Sequence, residues 1–274
     1  MFPLARRRPH AARWLTLLTL GLAACAASPV EWAPTRVVDR PADADAAVVL
    51  AADGTLRLDT MAALAERVTP PAGPMCRRSL RLAAARGTLF GVWWAPRPDS
   101  GVRLLAARST DGGRTWSAPA PVDTTDAGAG GCRREPIAIA ADSLSGYVHV
   151  TYALQAAEGP GLFFSHSMDA GVTFHAPVPI LYGERLGRTS VAADGDLVVV
   201  GFEDPNSKTP RIGLALSRTM GHIFEHRILP VSDDNGAAAH PLTAVQGRRI
   251  AVVWEPLNAR GASTALAVRL GTVR

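Results

Sequence analysis

Short apolar runs separated by polar turns fill the chain from about residue 46 onward, and hardly any stretch keeps a helical period. Four of these runs end on an aromatic residue: FGVWW at 90–94, VHVTY at 148–152, VVVGF at 198–202 and IAVVW at 250–254. A run of about five apolar residues bounded by turn signals reads as a buried strand. A shorter apolar segment and a tight turn precede each one, the turns being Arg86-Gly87, Ser145-Gly146, Asp194-Gly195 and Gln246-Gly247. Further β-like runs follow, at 102–107 and 212–216, and final runs occupy 118–122 and 175–180. One more hairpin is expected from VVL at 48–50 and TLRL at 55–58 around Asp53-Gly54. Residues 61–68 are the one place outside the N-terminal segment where a short helical turn is expected.

The arrangement repeats. STDGGRTW at 109–116 has a partner in SMDAGVTF at 167–174, 58 residues on, and a worn copy in SRTMGHIF at 217–224, 50 residues further. The unit is strand, tight turn, strand, loop, strand, Asp-containing turn, strand, beginning near Arg78, Arg134, Arg188 and His240. Four short antiparallel strands per repeat of this length are the signature of a β-propeller blade. The expected fold is all-β, a propeller of five four-stranded blades over residues 46–274, with six as the alternative. An N-terminal strand is expected to complete the last blade, which runs out of chain after its third strand.

The N-terminal segment is of another kind. Arg6, Arg7, Arg8 and Arg13 precede an apolar run from 14 to 24, shorter than the roughly 20 residues that a membrane span needs. It ends in Leu22-Ala23-Ala24-Cys25, which resembles the lipobox of bacterial lipoproteins. That resemblance implies a signal peptide over 1–24, a diacylglycerol on Cys25, a tether over 25–45 and a place in the cell envelope, at the outer membrane or cell surface. Removing 1–24 takes away four arginines and leaves 25 basic against 24 acidic residues, so the high pI partly reflects the targeting segment. Without a Lys/Arg run, nucleic acid is not an expected partner. Two cysteines remain, Cys76 and Cys132, each followed by Arg-Arg at equivalent places in adjacent repeats. In an oxidising compartment they are read as a disulfide, the other reading being two buried thiols. No histidine stands at ligand spacing from either, so neither a metal nor a cofactor is expected.

The pattern S-x-D-x-G-x-T-W/F resembles the Asp-box, or BNR repeat, of sialidases and related propellers. Ser109, Asp111, Gly113, Trp116, Ser167, Asp169, Gly171 and Phe174 carry it. Their chemistry is that of scaffolding: the aspartate accepts hydrogen bonds from its own turn, the glycine permits positive φ, and the aromatic packs between elements.

The resemblance implies a ligand site on the opposite face, where strand one starts and strand two ends. The residues there are Arg78, Arg134, Arg188 and His240 at strand-one starts, and Trp94, Tyr152, Glu203-Asp204 and Glu255 at strand-two ends. Sialidases hold their substrate's carboxylate with three arginines, which makes Arg78, Arg134 and Arg188 the candidate anion cluster. The alternative is that these arginines are solvated or paired with Glu135, Glu184 and Glu203. A sialidase-type reaction needs a tyrosine nucleophile, a glutamate base and an acid; Tyr152 or Tyr182, Glu203 or Glu255, and Asp204 or Asp99 are the candidates. Tyr152 also fits the plain role of strand-two core aromatic. The Arg-Ile-Pro motif of the first sialidase blade is absent, Arg134-Glu135-Pro136 being only an echo of it. The expected function is therefore an envelope lipoprotein binding a glycan or other anionic small molecule. The alternatives are an exo-α-sialidase-type glycoside hydrolase, or an assembly factor with an envelope protein partner.

Overall fold

A computed structural model describes residues 28–40, 46–60, 67–232, 236–258 and 260–274. The described residues hold nineteen strands and no helix. Three consecutive four-stranded antiparallel sheets form blades I, II and III. Blade I comprises β5 (Arg81–Ala85), β6 (Thr88–Pro96), β7 (Val102–Ser109) and β8 (Ala120–Asp123). Blade II comprises β9 (Ala138–Ala141), β10 (Val148–Ala156), β11 (Gly159–Ser167) and β12 (Val178–Tyr182). Blade III comprises β13 (Thr189–Asp194), β14 (Leu197–Glu203), β15 (Ile212–Ser217) and β16 (Leu229–Pro230). Every connection is a hairpin or short loop, so each strand pairs with its neighbour in sequence.

Blade IV is assembled from both ends of the described chain. It contains β17 (Ala237–Gln246), β18 (Arg249–Leu257) and β19 (Ala265–Val273). Along the outer edge of β19 lie β1 (Val30–Trp32) and β2 (Arg36–Asp39), in registers Val30↔Val273 and Ala265↔Asp39. Two short strands thus take the place of a fourth, covering an edge that would otherwise expose unpaired backbone. The expected strand completion is present. The expected tether is not as long as 25–45, because residues 30–39 belong to the sheet. The fifth unit is the hairpin β3 (Ala46–Leu50) and β4 (Leu56–Thr60), two-stranded among the described residues where four strands were expected. The first strands neighbour one another in the order β5, β9, β13, β17, β3, which is the inner wall of a propeller. Signal peptide and Cys25 lie outside the described residues, as does most of the expected helical turn at 61–68.

Strand two of each blade is the core. Trp93, Trp94, Tyr152, Phe202 and Trp254 are all buried, together with most of the apolar residues around them. The Ser-x-Asp turns lock the outer hairpins. Asp111 Oδ1 accepts the N–H groups of Arg114 and Thr115 at 3.0 and 2.9 Å, Oδ2 accepts the Thr115 hydroxyl at 2.6 Å, and Ser109 Oγ accepts Gly113 N–H at 2.8 Å. Asp169 repeats this pattern with Val172, Thr173 and Ser167. In the third copy the Thr219 hydroxyl takes over, accepting Ile223 N–H at 2.9 Å. Gly113, Gly171 and Gly221 stand at φ +86°, +80° and +88°. The last two lean against aromatics of the preceding blade, Phe90 and Phe164, and a side chain there would collide with Phe164. The repeated turn therefore joins blade to blade as well as strand to strand.

Candidate functional site

The face opposite these turns gathers the starts of first strands and the ends of second strands. The sites of the two cysteines show how close these points come. Cys76, before β5, is bonded to Cys132, before β9, with their Cα atoms 5.3 Å apart. The bridge ties blade I to blade II beside the axis.

A polar cluster lies on the same face across blades II, III and IV. His240, in a bulge of β17, has Nδ1 2.9 Å from Glu255 Oε1, and the guanidinium of Arg40, just past β2, stands 3.0 Å from the same oxygen. Glu255 is buried at the end of β18. Glu203 Oε1, at the end of β14, accepts the backbone N–H of His240 at 2.8 Å. His240 itself stands at φ +54°, a conformation costly for a side-chain-bearing residue and held here by those two carboxylates. Glu135, half-buried before β9, completes the group. Desolvation and the charge of Glu203 push its carboxyl above the usual carboxylate range, while Arg188 and His240 pull the other way. The cluster thus holds three glutamates, two arginines and one histidine.

The expected residues fare differently. Glu203, Glu255 and His240 are brought together, while the exposed Arg188 reaches the group through its charge, which lowers the pKa of the Glu135 carboxyl. Arg134 is drawn aside: its guanidinium bonds Asp126 Oδ2 at 2.6 Å and the Gly128 carbonyl at 3.0 Å, in the loop after β8. Arg78 is exposed at φ +61°, and its carbonyl accepts a bond from Arg81. The expected three-arginine convergence is thus reduced to Arg188 beside carboxylates. Tyr152 is fully buried, its hydroxyl donating to Asp123 Oδ2 at 2.6 Å and its ring set edge-on to Trp94. Burial and the Asp123 charge raise its pKa well above that of free tyrosine, so it is a core residue and not an accessible nucleophile. Asp204 caps its own loop by accepting Asn206 N–H at 2.9 Å. Asp99 does likewise for Gly101 at 3.1 Å, and its ion pair with Arg97 keeps its carboxyl below the usual range.

Sequence reading missed Arg40 and undervalued Glu135. Arg40 sits in what looked like a tether, and only the pairing of β2 with β19 carries it to the site. Glu135 follows an arginine already assigned a role; its position one residue past a strand-one start was the available signal.

A cleft of about 500 Å³ lies at the other end of blade IV, lined by Trp32, Leu50, Arg249, Ile250 and Leu270. It does not contain the titratable groups of the axial face. Among the described residues, no group of three or more His, Cys, Asp or Glu has the geometry of a metal site.

No known family pattern and no curated protein matches the chain. Solved structures do. A protein of unknown function from Dyadobacter fermentans is 15% identical, with TM-score 0.56 over 84% of this chain and 76% of its own. Trypanosoma rangeli sialidase is 10% identical, with TM-score 0.47 over 83% of this chain and 40% of its own. A Bombyx mori GH32 β-fructofuranosidase is 16% identical, with TM-score 0.43 over 70% of this chain and 43% of its own. The chain spans about 40% of the length of that sialidase. At such identities the likeness concerns the fold alone.

Proposed function

We propose that this chain is a lipid-anchored envelope propeller that binds a glycan on its axial face. The observation that carries the reading is the convergence of Glu135, Arg188, Glu203, His240, Glu255 and Arg40 from three blades and the N-terminal strands. Carboxylates accept hydrogen bonds from sugar hydroxyls, and arginine donates to ring and hydroxyl oxygens. Three carboxylates against two guanidinium groups favour a hydroxyl-rich ligand over an anion such as a free sialic acid. The anchor follows from the Leu-Ala-Ala-Cys segment.

A second reading, glycoside hydrolysis, is favoured by Glu135. A carboxyl group held up in protonation beside a second carboxyl group is the acid–base pattern of many glycosidases. Tyr152 has no part in this reading.

The test uses residues 26–274 as a secreted protein on a glycan array, followed by fluorogenic glycosides. Saturable binding abolished by Glu203→Ala or Arg188→Ala supports the first reading. Turnover lost in Glu135→Gln supports the second. Binding or turnover unaffected by all three substitutions refutes the axial site. Loss of lipid labelling in Cys25→Ala checks the anchor.

A further inference from the structure

Within the axial cluster, His240 and Glu255 are paired more closely than hydroxyl binding by itself requires. Glu255 is buried, with Oε1 2.9 Å from His240 Nδ1 and 3.0 Å from the Arg40 guanidinium, which pairs with that carboxyl group and holds it in place. The imidazole is 40% exposed, and Nδ1 is the ring nitrogen that stands at pairing distance from the Glu255 carboxyl group. Glu203 holds the backbone N–H of the same residue at 2.8 Å, which fixes the main chain from which the ring projects. With the neutral ring's proton on the nitrogen that faces Glu255, Nδ1, the lone pair stands on Nε2. A buried carboxylate, an oriented imidazole and a second nitrogen with a lone pair make up the base-and-orienter pair that nucleophilic and general-base sites share.

We propose that His240 is the proton-accepting residue of the axial face, with Glu255 as its positioning residue, and that the group it receives is a hydroxyl of the bound glycan or a water beside it. The proposal rests on the axial face being the working face. In the transfer, Nε2 takes the proton and the O–H electron pair stays on the ligand or water oxygen. Glu255, facing Nδ1, stabilises the imidazolium. The charged groups facing the ring are Glu255 from β18, Glu203 from β14, Glu135 before β9 and Arg40 after β2.

The test needs no ligand. Long-range ¹H–¹⁵N spectra of the ¹⁵N-histidine-labelled chain report which ring nitrogen carries the proton, with His240→Gln identifying the resonance. The Nδ1–H tautomer is expected; an Nε2–H tautomer in the unsubstituted protein overturns the proposal whether or not any variant folds. Diethyl pyrocarbonate, mapped by mass spectrometry, then measures reactivity. Nε2 attacks one carbonyl and keeps the carbethoxy group, the C–O bond to the other half breaks to release ethyl carbonate, and the proton lost from Nδ1 is matched by the one with which ethyl carbonate breaks down to ethanol and carbon dioxide. Modification of His240 is expected to slow at least threefold in Glu255→Gln, with exposed His226 as internal reference. Equal rates at His240 in the two proteins refute the positioning role. An empty glycan array with the Nδ1–H tautomer present would instead refute the glycan reading and leave the dyad standing.

Discussion

The sharpest consequence of the fold concerns acid, and it centres on His149. Its ring, on β10, is fully buried between Phe164 at 5.8 Å and Tyr147 at 6.2 Å, and neither ring nitrogen has a partner. Burial, then the nearby His166 and His222, depress its pKa to about 3, with Asp142 only partly opposing them. The folded protein therefore keeps this imidazole neutral, whereas the unfolded chain protonates it below its ordinary value of about 6.5. Stability from this group is whole above that value and drains away as pH falls toward 3. At pH 5 the lost amount is about 2 kcal/mol, one and a half pH units at about 1.4 kcal/mol each. His166, lowered to about 4 by burial and by His222 and His175, pushes in the same direction. Urea unfolding at pH 7 and pH 5 measures the effect, with His149→Phe as the variant whose ring has similar shape and no proton to gain. The original protein should lose about 2 kcal/mol more than the variant between the two pH values. Equal losses would show that His149 is not held neutral by the fold, and the reasoning from its burial would fail.

Other expectations follow from the same contacts. Gly221→Ala meets both a positive φ and the ring of Phe164, and should cost about 2 kcal/mol or more in denaturant unfolding, while an exposed glycine such as Gly236 should tolerate alanine. Replacing Cys76 and Cys132 by alanine opens a loop of sequence separation 56 and should remove about 4 kcal/mol, measured against the oxidised protein. Tyr152→Phe leaves buried Asp123 Oδ2 without its hydroxyl donor and should cost about 1–3 kcal/mol in stability, with glycan binding unchanged; a selective loss of binding at full stability would return Tyr152 to the site.

Some of this protein can be read from its sequence alone, because the signals are local. Alternating turns and apolar runs specify strands, and the recurring Ser-x-Asp turns specify where hairpins close. The backbone bonds those turns need lie within a few residues, so any copy announces itself: Asp111 satisfies Arg114 and Thr115 wherever the blade stands. The period then implies blades, and blades imply which strand ends share a face. This was enough to pair Cys76 with Cys132 and to nominate His240, Glu203 and Glu255. It was not enough to say which way a long side chain turns. Arg134 and Arg188 occupy equivalent places in their repeats, yet one is captured by Asp126 while the other stays exposed and acts on Glu135 through its charge. That choice depends on a loop eight residues away in one blade that has no counterpart in the next. Tyr152 and Arg40 depended on tertiary structure for the same reason. Asp123, from the neighbouring blade, draws the tyrosine hydroxyl into the core, and the closing of blade IV by β2 brings a residue from near the chain's start against Glu255 near its end. Contacts between segments far apart in sequence leave no periodic trace, and they arise only once the blades are packed around their common axis.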